Sequence, residues 1–132
     1  MLQAKLVFRK YGYIPDNCDN YGLYALAIFL STEMIGDFAY DFFYNWMKDT
    51  TLDITSGNLT GLEKNGNNVI IILDFDDKLY EKDPEKYSLT IPLEQLISVS
   101  EQWYKILQQK TLAKLITISE YNGIYTLSTS QE

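Results

Sequence analysis

The chain contains no histidine, one cysteine, one arginine and three prolines in 132 residues. Each scarcity removes a class of function. Without an imidazole there is no side chain whose ordinary pKa suits general base work at neutral pH, so Ser-His-Asp and Cys-His catalysis are excluded. One Cys and no His cannot close a tetrahedral zinc site. A lone Cys cannot form an internal disulfide, which suits a reducing cytosol. With Arg9 as the only arginine, no basic patch for nucleic acid exists. No apolar run approaches the roughly 20 residues of a membrane-spanning helix. The opening Met1–Lys10 has basic residues but no apolar stretch behind them, and is not expected to be a secretory signal.

What is abundant is acid and aromatic surface. Asp and Glu number 18 against 11 Lys and Arg, a formal net charge of −7, with 11 Tyr and 6 Phe. Such aromatic content belongs to folding chains rather than disordered ones. The length suits one domain, taken as residues 1–132. The charge is uneven: residues 11–63 hold eight acids and the single base Lys48. A chain this acidic is expected to avoid nucleic acid and anionic membranes.

Gln3–Arg9 alternates in part and predicts a strand; Pro15–Asn20 holds four Asp or Asn and predicts a loop. Gly22–Leu30 is apolar on every face, which fits a central strand or a buried helix; strand is the expectation here. Residues 33–48 predict a helix with Met34, Phe38, Phe42 and Trp46, and Ile35, Ala39, Phe43 and Met47 beside them, as a broad core stripe, capped by Ser31 or Thr32, with Tyr40 and Tyr44 outward. Lys64–Asn67 is a tight turn before the β-branched strand Val69–Leu73, expected to be buried on both faces. Asp74–Lys86 reads as a charged loop and Tyr87–Ile91 as a strand. A helix follows from Pro92, placed at its first position, to about Gln109, with Trp103 in the core. Leu115–Glu120 and Ile124–Ser128 form a hairpin through Asn122-Gly123 in a type I′ turn. The fold class is α+β: a mostly antiparallel sheet of about six or seven strands with two main helices packed on it.

Few features could carry chemistry. Asp74-Phe-Asp76-Asp77 supplies oxygen ligands but lacks the Gly and terminal Glu of an EF-hand loop, and interleaved lysines favour ion pairing, so no metal or other cofactor is expected. Cys18 sits between Asn17 and Asp19, and acidic neighbours disfavour its thiolate. No catalytic set stands out. The chain is expected to be a binding protein and not an enzyme, although a carboxylate pair of the glycosidase kind stays open at this level.

The cadence of residues 87–128 is Tyr-Ser-Leu-Thr-Ile-Pro-Leu-Glu-Gln-Leu-Ile, then Trp103-Tyr-Lys-Ile-Leu, then Leu115-Ile-Thr-Ile-Ser-Glu-Tyr-Asn-Gly-Ile-Tyr-Thr-Leu. It resembles the small acidic immunity proteins of contact-dependent growth inhibition and other polymorphic toxin systems. The resemblance implies a cytoplasmic protein that binds a cognate toxin domain, foremost a nuclease, and blocks it. A small acidic secretion chaperone or adaptor is the alternative. Candidate toxin-binding residues are Asp16, Asp19, Asp37, Tyr40, Asp41, Tyr44, Asp74, Asp76 and Asp77, drawn from the acidic segment, its tyrosines and the charged loop. A monomer is favoured.

Overall fold

The computed structural model describes residues 1–74 and 82–131. In chain order they form β1 (Leu2–Arg9), β2 (Gly12–Cys18), α1 (Tyr21–Ile28), a π-helical turn (Phe29–Glu33), α2 (Asp37–Lys48), β3 (Ile54–Ser56), β4 (Thr60–Asn65) and β5 (Asn68–Leu73). Then follow β6 (Ser88–Pro92), α3 (Leu93–Leu107), β7 (Leu115–Tyr121) and β8 (Ile124–Ser130). The α+β class and the antiparallel pairing hold, but the strands divide into two sheets of four, ordered β2-β1-β7-β8 and β3-β4-β5-β6. The first sheet pairs β1 with β7, residues more than a hundred positions apart.

The division follows from α1. Its Leu23, Ala25, Leu26, Ala27 and Ile28 are buried, and it packs against β1 and β2 of one sheet and β5 and β6 of the other. A helix packed between two sheets, exposed only at Tyr21, has no polar face, so its sequence carries no period. The strand expected for Gly22–Leu30 is therefore a helix, begun by Asn20, whose side-chain oxygen accepts Leu23 N–H at 2.8 Å. The predicted loop at Pro15–Asn20 is mostly strand. Pro15 pairs with Leu6 on an edge, where its missing N–H costs no ladder bond, and Asn17 at φ 65° makes the bulge opposite Ala4 and Lys5.

The second helix starts at Asp37, not at residue 33, because Gly36 at φ 83° breaks the chain direction. Neither Ser31 nor Thr32 caps it; Thr32 Oγ1 donates to the Ile28 carbonyl instead, at 2.6 Å. The expected stripe is corrected in part. Met34, Phe43, Trp46 and Met47 are buried as expected, whereas Ile35, Phe38 and Phe42 are exposed. Positions four apart drift by about 40° per step, so a chain of such steps winds off the core face. Val69–Leu73 is buried at alternate residues, with Ile70 and Ile72 only half-buried, because one face of its sheet is covered more fully than the other.

The third helix buries Leu96, Val99, Ser100, Trp103 and Ile106. Pro92 serves as its N-cap, one position earlier than expected. Trp103 is in the core as predicted: its Nε1–H donates to the Met34 carbonyl at 2.9 Å, and its ring meets Tyr13 edge-on at 5.7 Å. Helix α3 also closes the β8 edge. Gln95 and Gln102 accept Tyr125 N–H and Leu127 N–H at 3.0 and 2.9 Å. Those side chains satisfy donors that would otherwise invite another strand. The last hairpin turns through Asn122 and Gly123, both at positive φ as a type I′ turn requires.

Candidate functional site

Helix α2 presents two different surfaces. On one, Tyr40 stacks on Tyr44 with ring centroids 5.2 Å apart and meets Tyr104 of α3 at 4.2 Å. Tyr104 O–H donates to Asp37 at 3.0 Å and Tyr44 O–H to Glu101 at 2.7 Å. Tyr40 and Tyr44 are thus half-buried in the α2–α3 seam rather than outward as expected. Burial, followed by the charges of Tyr44 and Glu101, pushes the Tyr40 phenol up to about 12. The hydrogen bond to Asp37 raises the Tyr104 phenol. Asp37 and Asp41 stay exposed on the same helix.

The other surface is apolar and open. Ile35, Phe38 and Phe42 are 53%, 88% and 51% exposed. With the Gly57-Asn58 turn between β3 and β4 they wall a groove of about 360 Å³. Phe42 is backed edge-on by Phe43, and Phe43 by Phe29, so this wall is continuous with the core. Phe43 and Glu33 also line the groove, and Glu33 is 5% exposed.

The carboxylate of Glu33 is poorly served. Thr60 Oγ1 donates to Oε2 at 3.3 Å. Thr32 Oγ1 stands 3.3 Å from Oε1, but its single proton already serves Ile28 at the shorter 2.6 Å. Among the described residues no Lys or Arg pairs with Glu33. The π-helical turn that carries it also leaves Ser31 Oγ buried without a hydrogen-bond partner. Turns of this kind recur at functional sites.

The sequence-derived candidates therefore separate. Asp37, Tyr40, Asp41 and Tyr44 share α2. Asp16 and Asp19 belong to β2 and its exit, where the Asp19 carboxylate accepts Gln3 N–H at 2.7 Å. Asp74 follows β5, its N–H bonded to the Leu59 carbonyl at 2.9 Å, next to the turn that walls the groove. Asp76 and Asp77 lie outside the described residues. Sequence reasoning missed Ile35, Phe38, Phe42 and Glu33 as a site. The available signal was an excess of aromatics on one helix, more than a single core face can absorb.

A larger cleft of about 840 Å³ runs between the exit of β2, the start of α1 and β6. Cys18 lines it, and burial, then Asp16 and Asp19, raise its thiol, so it is not activated. Among the described residues no helix is long and apolar enough to cross a membrane. No family model, curated protein or solved structure matches this chain.

Proposed function

We propose that the chain is an immunity protein that binds a cognate bacterial toxin domain, foremost a nuclease, and neutralises it in the cytoplasm by covering a basic surface. One observation carries the reading: Phe38 and Phe42 are exposed on a helix that also exposes Asp37 and Asp41. Aromatic side chains with a charged rim are the composition of a protein-binding surface, where a few anchors supply most of the affinity. The acids match the cationic groove that a nuclease offers to phosphate, and they speed encounter by steering. On this reading the chain acts by occupancy and performs no catalysis.

The test is co-expression and binding with the toxin domain encoded beside this gene. The native chain is expected to bind it saturably and to restore growth. Phe38→Ser with Phe42→Ser should weaken binding by about thirtyfold or more, the scale of losing a hot spot. Native chain that neither binds that domain nor protects cells expressing it would overturn the proposal.

A further inference from the structure

The groove combines features that neither an apolar nor an acidic surface alone provides. Phenyl rings of Phe38 and Phe42 stand open at its mouth. Its lining also includes the buried side chain of Glu33, whose carboxylate has one 3.3 Å hydroxyl donor and no cation among the described residues. Burying an ionised carboxylate is costly unless a charge and hydrogen bonds compensate it. Lys48 and Lys64, the lysines nearest in sequence to this groove, lie over other rings, Lys48 over Tyr44 and Lys64 over Trp46. The site is thus complementary to one long, flat cation with an apolar stem.

We infer that this groove seats a single arginine side chain of the protein partner, its stem against Phe38 and Phe42 and its guanidinium on Glu33; the inference rests on the immunity reading and specifies how that partner is held. Arginine fits better than lysine because its planar guanidinium stacks on aromatic faces and forms paired bonds with a carboxylate. Asp37 and Asp41 on the same helix add to the attraction for a cation approaching the mouth. Glu33 thereby acts as the specificity determinant and the phenyl rings as the clamp.

The probe is Nα-acetyl-arginine amide, titrated into the isotopically labelled full chain and followed by amide resonances, with Nα-acetyl-norleucine amide as the uncharged control. Arginine amide should shift Glu33, Phe38, Phe42 and Gly57 saturably, and the control should bind at least tenfold more weakly. Glu33→Gln should lose at least tenfold for arginine amide. Phe38→Ser, at a position open to solvent, should do the same without touching the core. Shifts spread evenly over the acidic surface, equal binding of the control, or unchanged binding by Glu33→Gln would overturn the seat. Toxin neutralised as well by Glu33→Gln as by the native chain would overturn the seat and leave the immunity reading standing. Arginine amide seated in the groove of a native chain that fails to neutralise the toxin would support the seat and remove the immunity reading.

Discussion

Gly57 and Glu33 share one volume. A Cβ on Gly57 would lie 1.1 Å from Glu33 Oε2 and 2.1 Å from its Cδ, so the carboxylate occupies the space that any other residue would need. The β3–β4 turn and the π-helical turn are therefore matched at a single pair of positions, and the match holds the carboxylate in the groove.

Gly57→Ala is expected to destabilise the chain by about 1–3 kcal/mol, the range for forcing extra atoms into filled space. Adding Glu33→Ala should recover much of that loss, because the clash partner is gone. Urea unfolding of the two single variants and the double variant measures the coupling. Strictly additive effects would contradict the shared volume.

Lys64 ties β4 to the end of α2. Its ammonium donates to the carbonyls of Trp46, at 2.6 Å, and Asp49, and lies 4.6 Å from the centre of the Trp46 ring. A cation at a helix C-terminus complements the dipole and the unpaired carbonyls. Lys64→Met should cost about 1–2 kcal/mol in urea unfolding, with much of the loss recovered by Lys64→Arg. Equal stability of Lys64→Met and the native chain would remove this role.

Gln95 and Gln102 serve the outward N–H groups of β8 at Tyr125 and Leu127. Truncating Gln102 to Ala should cost about 0.5–1.5 kcal/mol. The double truncation should also promote concentration-dependent self-association, since β8 carries no charged residue to repel a second strand. Light scattering across a concentration series reads this; a double variant that stays as dispersed as the native chain would show that α3 itself is a sufficient cover.

Tyr40 links stability to alkaline pH. Its phenol is neutral when protonated, and its folded value of about 12 exceeds the ordinary 10.0. The contribution is therefore complete below pH 10.0 and is lost as pH rises from there through about 12. Tyr13, Tyr104 and Tyr125 are raised in the same direction, Tyr13 and Tyr125 by burial and Tyr104 first by its bond to Asp37. Urea unfolding repeated at increasing pH should show stability falling above about pH 10, and Tyr40→Phe should flatten the decline. A native chain whose stability stays level across that range would contradict the buried phenols.

The sequence alone determined the elements with local causes. Asn122-Gly123 specified a type I′ hairpin because both positions need positive φ, and the Leu96-Ser100-Trp103 spacing placed the core face of α3, to which the structure adds Val99 and Ile106. The acid excess, and the missing histidine that leaves no imidazole chemistry, were likewise plain in composition. Tertiary structure decided whatever depends on enclosure. The helix at residues 21–28 packs against both sheets, and with Leu23 and Ala25–Ile28 all buried it has no period to read. The same cause hid the groove. On α2 the seam with α3 absorbs Tyr40 and Tyr44, leaving Phe38 and Phe42 to solvent, and which aromatics a neighbour covers is set by how elements distant in sequence pack together. Glu33 reads as one acid among 18 until Gly57 and Thr60 pack beside it, because burial of a charge is a property of its surroundings and not of its own position in the chain.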